Sequence, residues 1–464
     1  MTTPARARRI AIVGGGPAGL RAAEMLVAHG LAPVLIDESP RIGGRIYQQP
    51  PPAPGFTRGA AAIYGFEAGK AQELHALFEQ LRPKIDYRPE SLVFDIIDGD
   101  LQILRDGRVE TLGVDALILA TGAMDRVIPF PGWTRPGVFA LGAAQIALKH
   151  QGCTIGNRVA FLGAGPLLYL VAYQYARAGV EIAAVISTAP WHHLALAVPD
   201  LLHRPRTFLK GGYYLGWLLA QGIPVLAGWK PRRLLCAERI EGLEIGKGGA
   251  SLRRIDCDAV AFGYGLKSET QLAELSGAPF AYDRVQGQWL PVTDDCGRVA
   301  ERSGLYLAGD GAGIGGADAA ELRGRLAAAA LLQDAGIAPQ GYAIDRGLRD
   351  LRHWRAFRRG IETAFPFPAA LAAETPADTI LCRCESIAAG DLRQVARRNG
   401  VREINRAKAL CRVGMGRCQG RVCGAAAAEI LAAEIGISTD SVGRLRSQPP
   451  IKPIAVGDLA ESDR

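Results

Sequence analysis

The sequence predicts an α/β protein with two Rossmann-like units, the second inserted in the first, and a small helical module near the C-terminal end. Three observations support this prediction. A strand, a glycine-rich turn and a helix pattern follow one another from residue 10, and the same succession recurs from Arg158. A further strand enters a glycine-rich turn after Gly304. Five of the nine cysteines then cluster between Cys382 and Cys423.

Length and composition narrow the possible functions. The 464 residues suffice for about two to four domains with large cores. A net charge of +8, from 54 basic and 46 acidic residues, is modest for this size, so we expect no nucleic-acid partner. Because the chain has only seven histidines, a metal site built from histidines is not the first hypothesis. The apolar run after the basic N-terminus is too short for a signal sequence, which favours a cytoplasmic protein.

One segment could be mistaken for a membrane span. Residues 211–229 carry no charge. Gly222 and Pro224 interrupt the run, so it predicts a buried helix followed by a strand, and no integral membrane span is expected.

The first glycine-rich motif has the spacing GxGxxG and follows the apolar run Ile10–Val13. Gly14 permits the tight turn, Gly16 lets the backbone approach a pyrophosphate, and Gly19 lets the helix pack on the strand. The helix pattern begins at Pro17-Ala18, so its N-terminal N–H groups and positive dipole end would face the phosphates. This pattern predicts a dinucleotide site.

The carboxylates at the end of the second strand complete this unit. Asp37 and Glu38 follow the strand Ala32–Ile36, where a carboxylate can accept hydrogen bonds from an adenosine ribose. Asp37 is favoured because it stands directly at the strand end, and Glu38 is expected to face solvent. The alternative is a glycine-rich turn in an ordinary βαβ unit. It is disfavoured because strand, helix, second strand and carboxylate occur together.

Three later segments are candidates for the same cofactor site. After Gly44, the loop from Arg45 is expected either to line a flavin or to be a plain surface loop. The strand from Ala116 ends in the small residues Ala120, Thr121 and Gly122, which would let a cofactor approach the backbone.

The third segment is Gly309-Asp310, at the end of a strand that should return to the first sheet. Asp310 is placed to bind the sugar-alcohol chain of FAD, and the alternative is an Asp that caps a helix without any ligand. The FAD interpretation is favoured.

The second glycine-rich motif matches a nicotinamide site only in part. Gly163 and Gly165 fit the spacing, but Leu168 replaces the third glycine. Its second strand ends in Ser187-Thr188, with neither a carboxylate for a ribose nor an arginine for a 2′-phosphate. NAD(P) binding is therefore disfavoured.

The cysteine cluster predicts a metal centre. Cys382-x-Cys384 and Cys418-x4-Cys423 can bring four thiolates together to hold an iron–sulfur cluster or a zinc ion. The CxC half fits structural zinc poorly, and glycines crowd the second half, so a [2Fe–2S] cluster is favoured. Cys411 is expected to be a buried small residue and no ligand.

These residues together resemble a known family over nearly the whole chain. The resemblance rests on GGGPAGLRAAEML, DESPRIGGRIYQQPP, ATGAMDRVIPFPGWTRPGV, GAGPLLYL, FGYGL, GDGAGIGGADAA and GMGRCQGRVCG. They look like the larger (A or α) flavoprotein subunit of heteromeric bacterial opine oxidases, D-hydroxyproline and related amino-acid dehydrogenases, and hydrogen cyanide synthase. The C-terminal module is similar to bacterioferritin-associated ferredoxin-type (BFD-like) [2Fe–2S] domains.

The resemblance implies an oxidoreductase subunit that acts on CH–NH donors, passes electrons to an artificial or quinone-type acceptor and has no catalytic residue of its own. A smaller flavoprotein subunit would oxidise the amine, opine or amino acid. The resemblance leaves open a third small subunit and a second flavin, FMN, at a subunit interface. Carried over by position, FAD would be held by Gly14, Gly16, Gly19, Asp37, Thr121, Gly309 and Asp310, and the cluster by Cys382, Cys384, Cys418 and Cys423.

Two departures from the family pattern concern the cofactor sites. Arg45 stands where the family usually has glutamine, and Cys411 where threonine is common.

The implied domain division has six parts. The FAD-binding domain occupies 1–130 and 286–340, an inserted NAD(P)-binding-like domain 131–285, a helix and linker 341–378, the BFD-like domain 379–440 and an extended tail 441–464. The tail is expected to reach onto a partner. Two other functions are alternatives: a stand-alone NAD(P)H-dependent flavin and iron–sulfur reductase, and a scaffold in which both cofactors are structural.

Overall fold

In the computed structural model, residues 9–50, 59–248 and 251–460 are described. The first part of the chain alternates strands and helices and ends in short antiparallel strands. Its elements are β1 (Ile10–Val13), α1 (Pro17–Ala28), β2 (Val34–Ile36), α2 (Ala60–Tyr64), α3 (Ala68–Leu81), β3 (Asp86–Arg88), β4 (Leu92–Ile97), β5 (Asp100–Arg105), β6 (Arg108–Leu112), β7 (Ala116–Leu119) and β8 (Ala123–Asp125).

The middle part repeats the strand–helix alternation and then adds antiparallel strands. Its elements are β9 (Val138–Ala140), α4 (Leu141–Lys149), β10 (Arg158–Ala164), α5 (Pro166–Arg177), β11 (Glu181–Ser187), α6 (Trp191–Leu201), α7 (Pro205–Ala220), β12 (Val225–Ala227), β13 (Lys230–Cys236), β14 (Ile240–Lys247), β15 (Ser251–Asp256), β16 (Ala259–Tyr264), β17 (Leu266–Ser268), α8 (Gln271–Leu275), β18 (Phe280–Asp283) and β19 (Gln288–Pro291).

The last part is mainly helical. Its elements are β20 (Leu305–Leu307), α9 (Ala317–Asp334), α10 (Ile344–Ala364), α11 (Ala369–Ala373), β21 (Ile380–Cys382), β22 (Ile387–Ala388), α12 (Ala389–Asn399), α13 (Ile404–Cys411), α14 (Gly424–Ile435), α15 (Thr439–Val442) and α16 (Val456–Ala460).

Two parallel five-stranded sheets organise the described residues. The first has the order β20-β7-β1-β2-β3, and the second has the order β12-β11-β10-β16-β9. All strands of the second sheet lie between β7 and β20 in the chain, so the second unit is inserted in the first. Strands β1, β7 and β16 are buried along their whole length, as expected for parallel strands covered on both faces. The predicted α/β fold is confirmed.

The C-terminal helices pack against the second unit. Leu381 and the buried residues of α14 share one apolar core with Phe262 of β16. The indole N–H of Trp133 donates to the carbonyl oxygen of Ile380 at 2.6 Å. The linker expected within residues 341–378 contains α11, whose Leu371 is buried against this core. The helical module is therefore anchored firmly to the inserted unit.

The uncharged segment 211–229 differs from its prediction in one respect. It forms the end of helix α7 and the strand β12, as predicted, but the expected burial of the helix is wrong. Only Tyr214 and Leu218 are buried in α7, whereas Leu209 and Leu219 are 70% and 52% exposed. Apolar composition alone does not tell a core helix from a surface helix. In the described part of the chain, no helix has the length and apolarity needed to cross a membrane.

Helices α1 and α9 pack tightly against each other at Gly324. A Cβ at this position would lie 2.1 Å from the carbonyl oxygen of Ala18, which is backbone and has little freedom to move. We therefore expect Gly324→Ala to lower the free energy of unfolding by about 1–3 kcal/mol through overpacking. Thermal or urea unfolding measures it. As a matched helical control, Gly216→Ala in α7 has no described atom within 4 Å of the added carbon and should not destabilise. Equal stability of both variants would contradict the close approach.

Candidate functional site

The three positions of the first motif require glycine for different reasons. A Cβ on Gly14 would lie 2.3 Å from the carbonyl oxygen of Ala120, and one on Gly19 would lie 1.9 Å from that of Gly14. These two glycines are required by the packing of the chain itself. A Cβ on Gly16 would meet Gly44 at 3.6 Å, an ordinary contact distance. Protein packing therefore does not explain Gly16, whereas close approach of a ligand does.

The N-terminus of α1 is open for an anion. Gly16 is its N-cap, Pro17 occupies the first helical position, and among the described residues no side chain caps this end. The first turn also lacks an acidic residue. The free N–H groups and the positive end of the helix dipole are thus left to a ligand.

The other small residues predicted for this site converge on the same place. Gly309, at φ +66°, lies so close to α1 that its Cβ would be 2.8 Å from the Cβ of Ala18. Gly122 has φ +76°, and no described atom lies within 4 Å of a Cβ there. The Thr121 hydroxyl donates to the carbonyl oxygen of Glu269 at 2.6 Å, which fixes the end of β7.

The two carboxylates at the end of β2 have separate surroundings. The backbone N–H groups of Gly15 and Ser39 donate to opposite oxygens of Asp37, the second at 2.7 Å. Burial raises the pKa of Asp37. Glu38 is exposed, as expected, and both of its carboxylate oxygens have cationic partners: Arg45 lies 3.3 Å from one, and Lys452 pairs with the other.

The loop that follows Gly44 is held by helix α4. The Lys149 ammonium donates to the carbonyl oxygen of Ile46 at 3.0 Å, and a ring nitrogen of His150 lies 3.1 Å from the carbonyl oxygen of Gln49. Burial lowers the pKa of Lys149 to about 8. No sequence pattern marks Lys149, because its partner is a backbone carbonyl about a hundred residues away.

Asp310 is engaged by the chain in the turn that follows β20. One of its carboxylate oxygens accepts the N–H groups of Gly315 and Gly316 at 2.8 and 3.0 Å. Asp310 therefore binds the turn before α9 and does not cap that helix, and its remaining acceptor sites leave room for a ligand hydroxyl. The guanidinium of buried Arg323 donates to the carbonyl oxygen of Gly309 at 3.2 Å, and burial lowers its pKa to about 10.

Asp125 is a titratable residue that no sequence motif marks. Both of its oxygens accept the N–H of Gly142, at 3.1 and 3.0 Å, in the first turn of α4. Burial raises the pKa of Asp125 to about 6, against the favourable hydrogen bond from Gly142 and the charge of Arg45. The buried carboxyl therefore favours its protonated form more in the folded chain than in the unfolded chain.

This pKa predicts a pH dependence of stability. Because the folded value is raised, the stabilising contribution of protonated Asp125 is fully present below about pH 4 and is lost as the pH rises through about 6. Asp125→Asn removes this titration. We expect the difference in unfolding free energy, wild type minus variant, to fall between about pH 4 and 6 and to stay constant above. Urea unfolding across pH measures it, and a difference independent of pH would contradict the burial of Asp125.

The second glycine-rich motif has the backbone of a dinucleotide-binding turn, but Leu168 occupies the position of its third glycine. A Cβ on Gly163 would lie 1.7 Å from the carbonyl oxygen of Gly263, and Leu168 is completely buried. Ser187 is 1% exposed, and the hydroxyl of Thr188 donates to the carbonyl oxygen of Gly163 at 3.3 Å. The end of β11 thus presents no carboxylate or arginine for a nicotinamide dinucleotide.

The four predicted ligand cysteines are neighbours that influence one another in pairs: Cys423 acts on the pKa of Cys382, and Cys418 acts on the pKa of Cys384. Cys382 and Cys423 are buried, whereas Cys384 is exposed. Cys411 is partly buried, and the chain of thiol hydrogen bonds does not include it. Within the described ranges, no group of three or more His, Cys, Asp and Glu side chains is placed to hold a metal ion.

Two kinds of hydrogen bond favour a thiolate at Cys382. The Cys423 thiol, and also the backbone N–H groups of Gly414, Glu385 and Cys384, bond to its sulfur and lower its pKa to about 6. The interaction with Cys382, together with burial, raises the pKa of Cys423. Deprotonated sulfur surrounded by backbone N–H groups is what an iron–sulfur cluster needs from its ligands.

The cysteine loop contacts the end of β17 and the start of α8. Arg421, between Cys418 and Cys423, donates to the carboxylate of Glu269 at 2.7 Å. The side chain of Gln271 donates to the carbonyl oxygen of Gln419 at 3.2 Å. Since Thr121 bonds the backbone of Glu269, a short chain of hydrogen bonds joins the cysteine loop to the end of β7.

Comparison with known proteins agrees with this arrangement. The family model for pyridine nucleotide-disulphide oxidoreductases matches residues 8–333, and that for the sarcosine oxidase A3 domain matches residues 381–462. The chain is 34% identical to the A subunit of opine oxidase from Rhizobium meliloti, over 97% of this chain and 87% of that protein. It is also 34% identical to the HcnB subunit of hydrogen cyanide synthase from Pseudomonas aeruginosa, over 96% and 97%.

Solved structures share the fold. L-Proline dehydrogenase from P. horikoshii superposes with a TM-score of 0.70 at 20% identity, over 97% of this chain and 79% of that one. Thioredoxin reductase from T. acidophilum gives a TM-score of 0.52 at 18% identity, over 71% and 99%. The chain therefore belongs to the pyridine nucleotide-disulphide oxidoreductase family of FAD flavoproteins, and within it to the oxidoreductase subunits that include HcnB and the A subunit of opine oxidase.

Proposed function

We propose that this chain is the FAD- and [2Fe–2S]-containing electron-transfer subunit of a heteromeric amine-oxidising dehydrogenase. The main support is that one chain has both an open site for a dinucleotide at Gly16 and a group of four paired cysteines. The contact between Arg421 and Glu269 connects these two regions. When bound, the flavin supplies two-electron chemistry and the cluster supplies one-electron transfer.

The residues proposed for FAD have complementary roles. The first turn of α1, from Gly16 to Gly19, would meet the pyrophosphate, and the small residues Ala120 to Gly122 would let the cofactor approach β7. Asp37 and Glu38 would lie at the adenosine ribose, and Gly309-Asp310 at the sugar-alcohol chain. Gly44 and Arg45 would line the same groove, with Arg45 beside Glu38 at its adenosine end.

Cys382, Cys384, Cys418 and Cys423 would hold the cluster. The donor set fits a [2Fe–2S] group because all four ligands are thiols and backbone N–H groups surround Cys382. The CxC spacing of the first pair suits structural zinc poorly.

The proposed partner is a smaller flavoprotein subunit that oxidises a C–N bond of an opine, D-amino acid or hydroxyproline-type substrate. Support comes from relatives that are themselves named as subunits, the A subunit of opine oxidase and the alpha subunit of sarcosine oxidase. A third small subunit and an FMN at a subunit interface belong to the same proposal. The cytoplasm is the proposed compartment, and quinone-type molecules are the proposed acceptors.

The experiment is anaerobic reduction of the purified chain, alone and with its co-expressed partner. The proposal expects opines or D-amino acids to bleach the flavin and cluster absorption only when the partner is present. NADH should bleach neither, because Leu168 and Ser187 leave the second motif without its selective contacts. Rapid bleaching of the isolated chain by NADH would instead establish a stand-alone reductase. A cluster that substrate plus partner cannot reduce would establish a structural role.

A further inference from the structure

The C-terminal segment of the chain crosses from the cysteine module to the first dinucleotide motif. Its start is fixed at α8, where the backbone N–H of Ser447 donates to Glu274 at 2.8 Å. Further on, Ile451 is 3% exposed, and its N–H donates to the carbonyl oxygen of Phe94 in β4 at 3.0 Å. Within the tail that is expected to reach a partner, Ile451 thus lies on the chain's own first unit.

The next residue, Lys452, reaches the carboxylates at the end of β2. Its ammonium pairs with one oxygen of Glu38, while Arg45 lies 3.3 Å from the other oxygen. Asp37 is close enough that its charge acts on Lys452. Two cations, one from a distant part of the sequence, thus meet the adjacent carboxylates Asp37 and Glu38.

We propose that Lys452 is part of the FAD site: it positions Glu38 against the adenosine ribose and offsets the negative charge of the two carboxylates. This inference rests on the proposed binding of FAD at the first motif. The cofactor brings a doubly charged pyrophosphate to the helix end beside Asp37, and a cation at this place reduces the repulsion between like charges. Glu38 retains free acceptor sites for ribose hydroxyls while it is paired, because a carboxylate has about four.

The same segment links this site to the cysteine loop. The guanidinium of Arg421 donates to the carbonyl oxygen of Ile451 as well as to the carboxylate of Glu269. Arg421 therefore holds the segment one residue before Lys452. The consequence is that the position of the cysteine loop and the position of Lys452 are coupled through one side chain.

The test is the dissociation constant of FAD from the full chain, measured by flavin fluorescence on deflavinated protein. Lys452→Gln should raise it about threefold to tenfold, within the range for the net contribution of one ordinary hydrogen bond. Lys452→Arg should restore most of the affinity. The control Lys230→Gln removes a comparable pair with Glu374 at 3.2 Å, remote in the fold, and should leave FAD affinity unchanged.

A double-mutant cycle separates positioning from simple stabilisation. If Lys452 acts through Glu38, then Lys452→Gln should cost little further affinity in a Glu38→Gln background. The midpoint of thermal unfolding of the deflavinated protein should change little, because partly exposed ion pairs stabilise weakly. Wild-type affinity in Lys452→Gln, or equal losses in both backgrounds, would overturn the role of Lys452. Failure of the wild-type chain to bind FAD would overturn the proposed function instead.

Discussion

Gly16→Ala should yield a folded protein that no longer retains FAD. The added methyl group has space in the protein itself, since it would lie 3.6 Å from Gly44, yet it projects where a pyrophosphate must approach the backbone. We expect the dissociation constant of FAD to rise about a hundredfold, which corresponds to about 2.8 kcal/mol of binding free energy. Flavin absorbance of the purified protein and fluorescence titration measure this effect.

Two variants show whether that loss is local. Gly69→Ala in α3 adds a methyl group with no described atom within 4 Å, and should leave FAD binding intact. Gly19→Ala would place a carbon 1.9 Å from the carbonyl oxygen of Gly14, and should destabilise the fold itself. If Gly16→Ala bound FAD with wild-type affinity, the binding site for the pyrophosphate would have to lie elsewhere.

Cys382→Ser should abolish cluster assembly while flavin remains bound. Cys382 is 1% exposed, and its sulfur receives hydrogen bonds from the Cys423 thiol and from three backbone N–H groups. Replacing this thiolate leaves three of the four proposed ligands, so the iron content should fall from two atoms per chain to nearly none. Iron analysis, labile sulfide and the visible spectrum report the change.

The other cysteines provide the matched controls. Cys411→Ser changes a cysteine of the same module, and Cys153→Ser replaces an exposed thiol that is distant in the sequence from the four proposed ligands. Both variants should keep the full iron content. A loss of iron in Cys411→Ser as large as in Cys382→Ser would mean that the ligand set is misassigned.

The parts of the fold that follow local rules could be predicted from the sequence. Gly14 and Gly19 mark the turn and the helix contact because their spacing is set by backbone geometry. In the structure, a Cβ added at either position would lie 2.3 Å or less from a carbonyl oxygen. The order of strands and helices in both units follows from apolar runs broken by glycine. The inserted arrangement followed because the strand after Gly304 had to return to the first sheet.

Features that depend on contacts between distant segments could not be predicted. The pairing of Glu38 with Lys452 joins residues 414 positions apart, so no local pattern marks it. The apolar sequence around the end of helix α7 predicts a core helix. In the structure, neighbouring elements cover only one face of α7, which leaves Leu209 exposed. Asp125 gains its raised pKa from burial beside Gly142, which only the assembled sheets create.

The most direct measurement is the cofactor content of the purified wild-type chain. Flavin released by denaturation, together with iron and acid-labile sulfide per chain, tests both proposed sites at once. The account predicts one FAD, two iron atoms and two sulfides per polypeptide. A chain that contains zinc in place of iron, or that binds no flavin after reconstitution, would contradict it.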